Sequence, residues 1–220
     1  MARLCQTCWH TPPPFPLVIE YGDDDDAEIT CTAEDEAAIF LALEQRDRVR
    51  RIRLLIPVLK MQKLIMAMDG EYPVLEYLIL VDLHTEKGTV LILPEALETP
   101  HLRHLFINCS IPIQSPLLGM AAGLVNLCLV LYHPSTYFEP TVLLQCLSSM
   151  PQLEILAIVF QFAVPNRDVE RQLMLRPIMT HVTLHNLRSF VFQVVSVYSE
   201  AVLSRITAPR LEIFRLHYHK

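Results

Sequence analysis

The sequence predicts an α/β solenoid, with a parallel sheet along one side and helices or irregular segments returning the chain along the other. Three observations carry that expectation. A phrase of three apolar residues, the second three places and the third five places after the first, recurs seven times. Its first positions, Val49, Leu75, Leu102, Leu124, Leu153, Leu187 and Leu211, lie 26, 27, 22, 29, 34 and 24 residues apart. Between copies, several segments carry apolar residues at helical spacing.

The phrase explains itself physically. Strand residues alternate faces, so the second and third apolar positions, such as Leu78 and Leu80, point to one side, while the first fills the turn entering the strand. One repeat cannot bury that side alone. Stacked neighbours can, and their strands then pair in parallel. Pro73, Pro100, Pro151 and Pro209 stand two positions before their phrases and set an extended entry. Five of the six intervals fall in the 20–29 range of leucine-rich repeats. The architecture implied is a horseshoe with its sheet on the concave face, filling residues 15–220. The 34-residue interval calls for an insertion, assigned to Val164–Thr180.

Taken in order, Leu17, Ile19 and Tyr21 alternate and can add a strand at the N-terminal edge. Asp23–Asp26 is an acidic run read as a solvated loop. Glu34–Arg46 reads as a helix with acids in its first turn and Ala38, Leu41 and Ala42 on one face. Leu59–Met68 places Leu64 and Met68 at helical spacing. Pro94–Leu97 is too short for more than one turn. Pro140 opens a helix continued by Val142, Leu143 and Cys146. Ser199 is expected to cap a helix over Glu200–Ile206.

Composition narrows function. A net charge of -6 argues against nucleic-acid binding, which needs many cations against phosphates. Five glycines against sixteen prolines disfavour phosphate-cradling loops. Six scattered cysteines point to a reducing compartment, cytoplasmic or nuclear. Trp9, His10 and Pro12–Pro14 interrupt any signal-peptide core. Leu105–Phe138 contains no Asp, Glu, Lys or Arg, and membrane association through it is the alternative reading. Its best window, Pro116–Tyr132, barely reaches the roughly 20 residues of a span, and Pro112, Pro116, Asn126 and Pro134 break the stretch.

No residue set announces catalysis. The sequence lacks GxSxG, Walker, GxGxxG and HExxH patterns, so no enzyme activity, metal or cofactor is expected. Cys5 and Cys8 form a CxxC without a second ligand pair. His217 and His219 share a strand face without a carboxylate or thiol behind them. Asp23–Asp26 lacks the spaced ligands and glycine of a calcium loop. Arg46, Arg48, Arg50, Arg51 and Arg53 form a basic cluster that fits either an acidic partner or phosphate, or a solvated edge paired with the acids upstream.

The informative positions lie between the inward-pointing apolar residues. Arg51 and Arg53, Tyr77 and Ile79, His104 and Phe106, Asn126 and Cys128, and Ile155 and Ala157 line the concave face. Ser189, Val191, Ile213, Arg215 and His217 continue it. The row is basic at its start, largely apolar in its middle and mixed at its end. An exposed apolar stripe usually marks an interface, the alternative being a loop, such as the insertion, lying over it. A protein partner is expected there, on Arg51, Arg53, Tyr77, Ile79, His104, Phe106, Asn126 and Ile155.

Four phrases resemble the repeat region of fungal F-box proteins: PLVIEYG at Pro16–Gly22, ALEQRDRVRRIRL at Ala42–Leu54, PHLRHL at Pro100–Leu105 and ITAPRLEIFRL at Ile206–Leu216. The similarity covers roughly residues 16–220. MARLCQTCWH, residues 1–10, is similar to the tail of an F-box helix, so residues 1–14 are assigned to an F-box remnant and linker. The resemblance implies substrate recruitment to a ubiquitin ligase. Most of the adaptor-docking helices are missing from the sequence, which implies a recruiting surface rather than adaptor binding, or a truncated and non-functional gene product.

Overall fold

Each apolar phrase becomes a strand in the computed structural model, which describes residues 15–22, 31–83, 90–109, 122–133, 136–161, 180–194 and 196–218. Strand β1 (Leu17–Tyr21) is followed by α1 (Ala33–Leu43), β2 (Val49–Leu55) and α2 (Val58–Met66). Then come β3 (Tyr77–Val81), β4 (His104–Asn108), β5 (Asn126–Leu131), α3 (Pro140–Ser148) and β6 (Ile155–Phe160). The chain continues through β7 (Val182–Thr183), β8 (Ser189–Val194), α4 (Ser196–Leu203), β9 (Ile206–Thr207) and β10 (Ile213–Tyr218). Eight strands form one open sheet in the order β1-β2-β3-β4-β5-β6-β8-β10, parallel throughout, so the seven phrases pair in chain order as expected.

Register follows the phrase. Ile52, Leu78, Leu105, Leu127, Leu156, Phe190 and Phe214 pair across the sheet as one row, and Leu54, Leu80, Ile107, Leu129, Ile158, Phe192 and Leu216 as a second. The expected ladder of Leu78, Leu105, Leu127, Leu156 and Phe190 is buried, at 0–2% exposure. Apart from Phe214 at the sheet edge, these rows share one hydrophobic cluster with Ile39, Leu43, Met61, Leu64 and Leu143, so the helices cover this side of the sheet. At about 1.5–3 kcal/mol for each fully buried large apolar side chain, the rows dominate stabilisation.

The prolines do more than set an extended entry. The N–H of Leu75 donates to Tyr72 O, of Leu102 to Thr99 O, of Leu153 to Met150 O and of Leu211 to Ala208 O, at 3.1–3.3 Å. Each bond closes a four-residue turn in which the proline occupies the second position, where its fixed φ is favourable. The leucine leaving that turn is buried in every copy except the last, where Leu211 is exposed. Ladder bonds extend one residue ahead of the strands: the N–H groups of Glu76, Arg103, Val125, Glu154, Arg188 and Glu212 donate to carbonyls of the preceding repeat at 2.8–2.9 Å.

The return segments depart in part from their expected bounds and faces. Helix α1 ends at Leu43 rather than Arg46, and it buries Ile39, Ala42 and Leu43 while Leu41 is exposed, so the expected face is turned. Helix α2 starts at Val58 and ends at Met66 rather than Met68, while Leu64 and Met68 are both buried. Helix α3 starts on Pro140 as expected. Ser199 lies inside α4 instead of capping it, and Ile206–Thr207 is strand β9, paired with β7 in a small second sheet that the repeat pattern does not announce. β-branched Val182, Thr183, Ile206 and Thr207 favour that pairing. A cluster of Tyr137, Phe138, Phe160, Phe192 and Tyr198 packs where α3 and α4 meet the sheet, ring centroids 5.2–6.4 Å apart.

Residues 1–14, the acidic run Asp23–Asp26, His219 and all of the expected insertion but Thr180 lie outside the described residues. The uncharged stretch Leu105–Phe138 contributes residues to β4 and β5, and among the described residues no helix is long and apolar enough to cross a membrane.

Candidate protein-binding face

Alternation leaves a second set of side chains on the sheet face away from the helices. Parallel pairing brings Val18, Arg51, Tyr77, His104, Asn126, Ile155, Ser189 and Ile213 into one row. Glu20, Arg53, Ile79, Phe106, Cys128, Ala157, Val191 and Arg215 form the next. All eight candidate residues therefore stand on one face, in two adjacent rows. Strand spacing of about 4.8 Å sets neighbours in a row within contact distance.

Arg51, Tyr77 and His104 of the first row form a stack, which Glu20 joins from the second row. Glu20 and Arg51 form an ion pair at 3.1 Å. The Arg51 guanidinium lies 5.4 Å from the centre of the Tyr77 ring. Tyr77 and His104 stack face to face, centroids 4.2 Å apart and planes within 6°. Burial, with the charges of Arg103 and then Arg51 behind it, lowers the His104 pKa despite the opposing carboxylate of Glu76. The imidazole thus stays neutral at physiological pH, which suits close stacking against Tyr77 beneath a neighbouring guanidinium. Half-exposed Glu20 and Arg51 contribute at most about 1 kcal/mol as an ion pair, so their value lies in fixing the stack's end.

The eight residues are not equally accessible. Ile155 is exposed at 42%, while the other seven are half-buried, because close-set side chains on adjacent strands shield one another. Arg53 donates to Gly22 O at 3.2 Å, which ties it to the end of β1. Leu55 stands on this face by alternation yet is buried, with the Gly22 backbone against it. Glu20 and Val18 extend the rows beyond the residues singled out from sequence. The alternation of Leu17, Ile19 and Tyr21 already implied that the residues between them face outward.

The basic cluster is dispersed rather than gathered. Arg51 and Arg53 join the face just described, Arg50 pairs with Glu76 at 2.9 Å at the strand entry, and Arg46 lies 5.9 Å from the Tyr72 ring. Burial pushes the Cys128 thiol up to about 11 and Cys109 to about 12, opposite to the shift that a nucleophilic thiol needs. Among the described residues no group of three or more metal-ligating side chains assembles. His217 is exposed on β10.

What this face and sheet define is a class, an open α/β protein of stacked parallel strands with one helix-covered side. Compared with known proteins, the chain matches no protein-family model, no curated protein and no solved structure.

Proposed function

We propose that the chain is a leucine-rich-repeat module that holds a protein partner on the concave side of its sheet. The observation that supports this most is the register: residues from five successive repeats, Arg51 through Ile155, fall into two contiguous rows. Such a surface is broad, shallow and mixed in polarity, with an Arg–Tyr–His stack at one end and Ile79, Phe106 and Ile155 beside it. Interfaces are enriched in that combination of arginine, aromatic and apolar groups. The partner, by resemblance to fungal F-box proteins, is a substrate delivered to a ubiquitin ligase in the cytoplasm or nucleus.

The test compares the parent with a Tyr77→Ala, Phe106→Ala double variant. Neither ring belongs to the buried rows, so both proteins should give the same circular dichroism and melting. Partners captured quantitatively by the parent should be lost by the variant, since an aromatic hot spot contributes roughly 2 kcal/mol or more to binding. A folded variant that retains every partner would refute the face. Mixing the purified chain with the ligase adaptor tests the second half of the reading, and partner capture without adaptor binding would leave a binding module with no ligase role.

A further inference from the structure

Beside the proposed face, at the end where strands enter the sheet, lies a cleft of about 770 Å³. Its lining starts at Phe15 ahead of β1 and reaches Gln152 ahead of β6, taking residues from six consecutive strand entries. Five spacings of about 4.8 Å make it about 24 Å long. At about 3.4 Å per residue, that length fits roughly seven residues of extended chain. A trough of this shape suits a peptide better than a compact metabolite.

Its charge is specific. Three arginines, Arg48, Arg50 and Arg103, line it together with Asp47 and Glu76. Glu76 is already paired to Arg50 at 2.9 Å. Neither half-buried Arg48 nor exposed Arg103 has an ion pair among the described residues. Two arginines without an ion pair among the described residues thus share the lining with one exposed carboxylate, Asp47, in a chain whose net charge is -6. The overall charge disfavours a polyanion as large as a nucleic acid, while the local cations favour a short anionic ligand. Guanidinium groups match carboxylates in geometry as well as charge.

We propose that this trough binds an extended acidic peptide, its carboxylates seated against Arg48 and Arg103. The site is separate from the outward face and does not depend on the reading given for it. The experiment is fluorescence anisotropy of labelled hexaglutamate with the full chain, beside hexaglutamine and a glutamine hexapeptide carrying one phosphoserine. Hexaglutamate should bind, more weakly as salt is raised, and hexaglutamine should not. Arg48→Gln with Arg103→Gln should weaken hexaglutamate by roughly tenfold or more. Lys63→Gln, on the exposed side of α2, should leave binding unchanged. If the double variant does not fold, Arg103→Gln alone is the decisive variant and must still weaken binding. No hexaglutamate binding, equal binding of hexaglutamine, or no loss in the arginine variants overturns the proposal. Tighter binding of the phosphoserine peptide than of hexaglutamate overturns the carboxylate in favour of phosphate.

Discussion

Two glycines show how one missing methyl group is used differently. Gly22 has φ +92° as the chain leaves β1, and a Cβ there would stand 2.5 Å from Leu55 O and 2.6 Å from Leu55 Cβ. The obstacle is the backbone of β2, paired on both sides by β1 and β3, which cannot withdraw. Gly70 has φ +116°, but its Cβ would meet only the guanidinium of Arg46, the end of a flexible side chain. Gly70→Ala should cost about 1–2 kcal/mol, mostly from the unfavourable φ. Gly22→Ala adds a clash to the strain, for roughly 2–6 kcal/mol in sum. Urea midpoints of the two variants decide this, and a Gly22→Ala protein no weaker than Gly70→Ala would contradict the close packing of Gly22 on β2.

Helix α1 is held at its start by a reciprocal pair. The Asp35 N–H donates to Thr32 Oγ1 at 3.2 Å, while the Thr32 N–H and hydroxyl donate to Asp35 Oδ2 at 3.0 and 2.7 Å. The Tyr21 hydroxyl donates to the same oxygen at 3.0 Å and couples the helix to β1. Hydrogen bonds from the Thr32 side chain, then its backbone, hold the Asp35 carboxyl below its ordinary pKa. A carboxyl with a depressed folded pKa adds stability that is present above its unfolded pKa, about 3.9, and is lost as pH falls through the folded value. Thr32→Ala should cost about 1 kcal/mol at neutral pH. It should also lose less stability than the parent between about pH 5 and pH 2, because part of the Asp35 shift is gone. Melting temperatures across that range check both statements, and an unchanged acid slope would remove Thr32 as the cause.

At the scale of the molecule, stability depends on having a neighbour on each side. Phe190 occupies the same buried row as Phe214 and pairs directly with it, yet Phe190 is 2% exposed and Phe214 is 47% exposed. Phe190 lies between β6 and β10, whereas β10 is the edge of the sheet. In stacked-repeat proteins, stability is close to a sum of nearest-neighbour terms. Phe190→Ala should therefore cost about 3–5 kcal/mol, and Phe214→Ala roughly half of that or less. Equal losses in chemical denaturation would mean that β10 is covered in solution.

The sequence by itself determined the repeat, the parallel order and the register, because the apolar phrase has a period of two within each strand and recurs at each turn of the chain. Leu78, Leu105, Leu127 and Leu156 could be placed in one row from spacing alone, and the eight candidate residues on one face by the same alternation. The buried face of α1 could not be read. Ala37–Leu43 is apolar at seven consecutive positions, so no periodicity selects Ile39 and Leu43 over Ala38 and Leu41. The β7–β9 pair was equally hidden, since two-residue strands carry almost no pattern and form only when the return segments bring them together. Tertiary structure also decided the fate of the arginines. Five cations within eight residues read as one patch, but strand alternation and neighbouring repeats sent Arg51 to the Tyr77 stack, Arg50 to Glu76 and Arg46 to Tyr72, and left Arg48 in the trough with Arg103. Which charge meets which neighbour depends on residues 26 to 55 positions away along the chain, and no local pattern encodes that distance.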